Sequence, residues 1–208
     1  MEVKNAYKIW AEQYDTNTNK TRDLEAIALK EVLATISFSS CLEIGCGTGK
    51  NTSWLLTQSK EIFAVDLSDE MLIKARVKIN SDKVTFHQAD INQYWTFTNK
   101  KFDLVSFSLV LEHIENLDHV FQEASKHTNS GSFLYIGELH PFKQYTGSKA
   151  RFETEEGTNV VICFNHHVSD FTSAAKKHGF EMICLQEYFD KNDHQTIPRI
   201  LTILLIKK

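Results

Sequence analysis

The sequence predicts an α/β fold, a doubly wound sheet of about seven strands, mostly parallel, with one antiparallel strand near the C-terminus. Three observations predict it. Short β-branched and aromatic runs alternate over most of the chain with segments whose apolar residues recur at helical spacing, the pattern of a parallel sheet with helices on both faces. Three of the eight glycines crowd into "GCGTG" directly behind the first apolar run. The last two apolar runs have no helix between them, so one of them reverses direction.

Element by element, Tyr7, Trp10 and Tyr14 stand three and four apart, which puts them on one face of a short helix. Leu24, Ile27, Ala28, Leu33 and Ile36 predict an amphipathic helix over 22–36. "SCLEIG" (40–45) reads as a strand, "KNTSWLLTQ" after Gly49 as a helix, and "EIFAVDL" (61–67) as the next strand. Ser68 is a capping residue, with Asp69 and Glu70 supplying negative charge to the first turn of the following helix. Met71, Leu72, Ala75 and Ile79 are that helix's buried face. Strands follow over 83–91 and 102–110, then a helix marked by Leu117, Val120, Phe121 and Ala124, then a buried strand over 131–139. "SDFTSAAKKHGF" (169–180) predicts a helix closed by Gly179, and "FEMICLQEYF" and "RILTILLIKK" the last two strands. Residues 140–168 show the least regular pattern and read as an excursion within one domain spanning 1–208, not as a second domain.

Composition narrows the function. The chain is 42% hydrophobic and 24% charged, as expected of a globular protein. Net charge is −4 and no run of five or more Lys/Arg occurs, which argues against a nucleic-acid partner. "MEVKNAYKIW" has no uninterrupted apolar core of a secretory signal. "ILTILLI" is far too short to span a bilayer, so no membrane partner is expected. The four cysteines form no CxxC and read as free thiols, suited to a reducing cytoplasm. The nine histidines are scattered except for His166-His167, and no metal site is expected. Nothing in the pattern speaks to oligomeric state.

Strand, glycine turn, helix is a context in which backbone approaches a ligand at a helix N-terminus. A dinucleotide turn wants G-x-G-x-x-G, but here the order is Gly45-x-Gly47-x-Gly49, with Lys50 where the third glycine belongs. The spacing disfavours a nicotinamide-dependent oxidoreductase. "LEIGCGTGKNT", "VDLSDEMLIKAR", "FHQADI", "FDLVSFSLVLEHI" and "GSFLYIGELHP" occur in order, each at a strand end, across residues 40–141. Together they resemble the successive motifs of the class I S-adenosylmethionine-dependent methyltransferases, Rossmann-like enzymes, here of small-molecule type. The resemblance implies S-adenosyl-L-methionine as cofactor and S-adenosyl-L-homocysteine as product. It places Gly45, Gly47 and Gly49 in the cofactor loop and Glu43 towards the methionine portion. Asp66 then accepts the ribose hydroxyls, while Asp90, Ile91, Leu67 and Met71 border adenine. Ser106 and Phe107, at the end of the fourth strand, fall nearest the transferring methyl. Tyr14 is a candidate donor to the methionine carboxylate, in a segment (1–21) that closes over the cofactor in related enzymes.

For the acceptor, the fourth strand lacks an Asn/Asp-Pro-Pro-aromatic motif, and the chain's only prolines are Pro141 and Pro198. There is no Pro-Cys nucleophile either, so nucleobase methylation of those kinds is not expected. His113 is the candidate base, since imidazole is the side chain whose ordinary range lies closest to neutral pH. His140, Tyr145 and Arg151, in the excursion after the fifth strand, are candidates to orient a small acceptor, with Arg151 suited to a bidentate carboxylate. His166 and His167 are further candidates for this side. The expected reaction is methyl transfer to a small molecule at oxygen or a carboxylate. Transfer to nitrogen or activated carbon, and a non-catalytic cofactor-binding protein, stay open as alternatives.

Overall fold

The computed structural model describes residues 1–154 and 157–208. In chain order the elements are α1 (Val3–Trp10), α2 (Lys20–Leu33), β1 (Ser40–Ile44), α3 (Lys50–Gln58), β2 (Glu61–Asp66), α4 (Asp69–Lys78), β3 (Val84–Gln88) and β4 (Phe102–Ser108). Then come α5 (Leu117–Lys126), β5 (Thr128–Leu139), α6 (Pro141–Tyr145), β6 (Arg151–Thr154), β7 (Gly157–Val160), α7 (Val168–Lys177), β8 (Phe180–Tyr188) and β9 (Ile200–Lys207). Among the described residues a seven-stranded sheet has the order β3-β2-β1-β4-β5-β9-β8, and β6 and β7 form a separate hairpin. β9 is antiparallel to both β5 and β8, while β1 to β5 run parallel. The reversed strand is therefore the last one.

Side-chain alternation divides the core in two. Leu42, Ile44, Leu134, Ile136, Leu201 and Ile203 meet α5 and α7 through Val120, Phe121, Phe171 and Ala175. Cys41, Tyr135 and Leu204, one position out of phase, meet α2, α3 and α4 through Leu29, Leu33, Leu55 and Leu72. With both faces covered, the central strands are apolar at every position instead of alternating. A third cluster joins Ala6 and Trp10 of α1 to Phe152 and Val161 of the hairpin region, with Trp10 stacked on Phe152 at 5.1 Å between ring centroids.

Element boundaries move where side chains cap them. α2 starts at Lys20 because the Asn19 carboxamide accepts from Thr21 and Arg22 N–H, both at 3.0 Å. It stops at Leu33, short of Ile36, where the Thr35 hydroxyl takes the Val32 carbonyl at 2.7 Å. β4 ends at Ser108 because Leu109 enters the left-handed region with φ 56°. The excursion over 140–168 is more ordered than its sequence suggests, carrying α6 and the β6–β7 hairpin. Packing on α1 supplies the burial that so short a hairpin lacks by itself. Among the described residues no helix is long and apolar enough to cross a membrane, and no group of His, Cys, Asp or Glu is arranged to hold a metal ion.

Candidate active site

The chain leaves β1 for β2 and β3 on one side and returns to β4 on the other. A crevice therefore opens beyond the carboxyl ends of β1 and β4, at the topological switch point. The open space at its mouth amounts to about 700 Å³. Its walls include Ile44, Gly45, Gly47, Asp66, Leu67, Asp90, Ile91, Ser108, Leu109, His113, Tyr7 and Tyr14.

The glycine loop is built by its neighbours. Gly45 and Cys46 N–H both donate to the Val65 carbonyl, at 2.7 and 3.0 Å, tying the loop to the end of β2. A Cβ on Gly45 would lie 1.9 Å from Val110 Cγ2, so this glycine lets the β1 and β4 loops touch. Gly47 has φ +53°, yet its nearest neighbour for a Cβ is a Tyr14 ring carbon at 4.0 Å. Gly47 thus faces open space in the cleft. Asp66 bridges the walls: Oδ2 accepts Gly47 N–H at 2.8 Å and Oδ1 accepts Ser68 N–H at 2.9 Å. Burial raises its pKa despite these donors.

Behind the loop lies a buried acid pair. Glu43 Oε2 accepts from Thr52 Oγ1 at 2.6 Å, and Glu25 accepts from Asn51 Nδ2 at 2.9 Å and Tyr135 hydroxyl at 3.3 Å. Burial pushes the Glu43 carboxyl up to about 8 and that of Glu25 up to about 7. Asn51 Oδ1 is buried with no partner among the described residues. All three line a side pocket of about 420 Å³ that opens between Tyr14, Gly47 and Ser108. Two carboxyls and an orphaned amide oxygen stand here beside Arg22 and Lys50 of the same wall, so the residues present offer acceptors to an ammonium-bearing cofactor in the adjoining cleft.

The third group surrounds His113, on a short 3-10 helix (Leu111–His113) just past β4. Its Nδ1 lies 2.8 Å from the Ile162 carbonyl, which can only accept, so Nδ1 carries the hydrogen. Nε2 then accepts from the Tyr7 hydroxyl at 2.9 Å. Burial holds the Tyr7 phenol well above its usual pKa. Glu138 fixes the turn, its Oε1 accepting Val110 and Leu111 N–H at 2.9 and 2.8 Å. Burial pushes Glu138 up to about 8.

Several expected residues stand elsewhere. Gly49 caps α3 and packs on Ala75 of α4 and on Ile79 just past its end, away from the cleft lining. Met71 is fully buried on α4 as a core residue. Ser106 and Phe107 are enclosed within the sheet, and it is Ser108 and Leu109, further along, that reach the cleft. The strand simply continues past the expected contact before it turns. His140 Nδ1 accepts Phe142 N–H at 3.1 Å and Nε2 pairs with Glu187 at 2.9 Å, capping α6 outside the cleft. Tyr145 is half-exposed and meets His167 Nδ1 at 2.5 Å, also outside it. His166 is buried on the Ile114 carbonyl at 2.7 Å. Asp90, at the rim, holds Asn92 N–H at 2.9 Å. Glu43 lines only the side pocket, and Arg151 a different, neighbouring cavity. Tyr7, Glu25, Asn51 and Glu138 were not foreseen as site residues. Glu25 carried a signal: it sits on the same helical face as Ala28, Leu29 and Val32, an odd place for a lone carboxylate.

Residues 42–136 match the family described as "Methyltransferase domain". An uncharacterized methyltransferase of Emericella nidulans is 24% identical over 223 residues, covering 89% of this chain and 78% of that one. A malonyl-[acyl-carrier protein] O-methyltransferase of Bacillus cereus is 30% identical over 108 residues, covering 51% of this chain and 39% of that one. The crystal structure of an S-adenosylmethionine-dependent methyltransferase from Mesorhizobium loti superposes with a TM-score of 0.73 at 18% identity, over 87% of this chain and 96% of that one. The glycine loop, the acid-bearing strand ends and the switch-point cleft all fall within or beside the matched residues, and the chain has the fold of the class I S-adenosylmethionine-dependent methyltransferases, with residues 42–136 matching a methyltransferase domain.

Proposed function

We propose that the cleft seats S-adenosylmethionine and that the chain methylates a small molecule at oxygen, a carboxylate oxygen included. One observation carries this reading: a switch-point cleft floored by open Gly47 and flanked by Asp66 and Asp90. Asp66 receives the ribose hydroxyls while keeping Gly47 N–H, and Asp90 and Ile91 border the adenine. Glu43, Glu25 and Asn51 take the ammonium of the methionine portion. Tyr14 covers the cleft with α1 as a lid. The cofactor supplies a methyl group on a sulfonium, so the protein's task is alignment and exclusion of water. A carboxylate oxygen arrives without a proton to lose. For an acceptor hydroxyl, Tyr7 oxygen takes the proton as its own passes to His113 Nε2, the hydrogen-bonded pair acting as a relay. An O-methyltransferase among the similar proteins supports oxygen as the acceptor. The four free cysteines suit a reducing compartment such as the cytoplasm.

Titration calorimetry with S-adenosylhomocysteine and, separately, NADH tests the reading. It predicts binding of the thioether nucleoside and none of NADH; the reverse result sinks it. Incubation with methyl-labelled cofactor and a metabolite extract must then label a small product.

A further inference from the structure

A second cavity, of about 1090 Å³, adjoins the cleft and shares Tyr7, Tyr14 and Leu109 with it. Its charge opposes that of the whole protein. The chain has a net charge of −4 and only four arginines, yet Arg22, Arg151 and Arg199 all line this cavity, together with Lys20 and Lys149. Among the described residues Glu112 is the one acid on its wall.

The cations differ in what holds them. Arg199 is neutralised by Asp190, which accepts Nε and Nη2 at 2.5 Å each, and its Nη1 reaches Thr21 Oγ1 at 3.1 Å. Arg22 lies over the Tyr14 ring at 3.9 Å and donates to the carbonyls of Tyr14 and Asn17. Its buried Nε has no hydrogen-bond partner among the described residues. Lys20, Lys149 and Arg151 meet no carboxylate within ion-pair distance among the described residues. The N-terminus of the 14-residue α2 opens onto the same space through Asn19 and Lys20, adding the positive end of its dipole. Cations gathered in a concave site beside a cleft raise the local concentration of anions.

We infer that this cavity is the acceptor subsite and that the acceptor is an anion, its carboxylate, phosphate or phosphonate group seated against Lys149 and Arg151. The methyl-accepting atom then reaches the cleft past Tyr7 and Leu109. The assignment rests on the reading of the neighbouring cleft as the cofactor site.

Calorimetry tests it with inorganic phosphate and malonate as probes and malonamide as the uncharged control, at low salt, on protein alone and on protein saturated with S-adenosylhomocysteine. Lys149 and Arg151 are exposed, so a Lys149→Gln/Arg151→Gln double variant keeps its fold, and an unchanged thermal midpoint checks this. The expected result is one equivalent of phosphate, malonate or both on the wild type, none of malonamide, and at least a tenfold loss of anion affinity in the double variant. S-adenosylhomocysteine affinity should stay within twofold. Phosphate alone would assign a phosphoryl-type acceptor, and malonate alone a carboxylic acid. If S-adenosylhomocysteine binds but neither anion does, or the double variant holds the anion as the wild type does, the inference is overturned while the cofactor reading stands. Failure of the wild type to bind S-adenosylhomocysteine overturns the cofactor reading and the acceptor role together.

Discussion

The Tyr7 hydroxyl donates to Nε2 of His113 across 2.9 Å, joining an N-terminal helix to a turn more than a hundred residues away. With Nδ1 committed to the Ile162 carbonyl, both nitrogens of this imidazole are used. Tyr7→Phe leaves the buried Nε2 without a donor and should cost about 1–3 kcal/mol of stability. A urea midpoint identical to wild type, at unchanged slope, would show that the bond does not hold the lid.

Asp66→Ala should weaken S-adenosylhomocysteine binding by about 1–3 kcal/mol, from lost charged hydrogen bonds and a released Gly47 amide. Calorimetry on the folded variant reads this directly. Equal affinity would move the ribose site elsewhere.

Glycines two apart should fail differently. Gly45→Ala pushes a Cβ into Val110 and also strains a φ of +73°, and should lose about 2–4 kcal/mol of stability. Gly47→Ala meets open space and should lose only about 1–2 kcal/mol from its left-handed backbone. Its larger effect should be on cofactor affinity. Equal stabilities of the two variants by chemical denaturation would contradict the packing at Val110.

Glu25, Glu43 and Glu138 have carboxyls raised to about 7, 8 and 8 by burial. Between the ordinary glutamate range and these values the native state binds more protons than the unfolded chain. Stability contributed by the protonated forms is therefore lost as pH rises from about 4.5 towards 8. Unfolding free energies at pH 6 and pH 8.5 should fall in that order, and Glu43→Gln should reduce the difference. A ligand cation seated by these acids releases protons, so binding heats should vary with the ionisation enthalpy of the buffer.

Much of this protein was legible in its residues. Strand, glycine turn and helix could be read from 40–58 because apolar runs, glycines and caps are local signals, and the reversal of one of the last two strands followed from a missing helix. The cleft-lining positions of Gly45, Gly47, Asp66, Leu67, Asp90 and Ile91 were legible because each sits at or just past a strand end, where topology opens the cleft. Met71, Ser106 and Phe107 lie in the core instead, because rotation on α4 turns Met71 inward and because β4 runs on to Ser108 before it turns.

The sequence by itself determined the alternation of strand and helix outside the 140–168 excursion, that one of the last two strands reverses, and where the glycine turn sits. Periodicity and backbone chemistry act over a few residues and are written in the chain. Only the tertiary structure decided that Tyr7 would reach His113, that Glu25 and Asn51 would join Glu43, and that Arg22, Arg151 and Arg199 would share one cavity. Those partners lie between 8 and 177 residues apart. Their meeting depends on the packing of whole layers, and no local pattern encodes it.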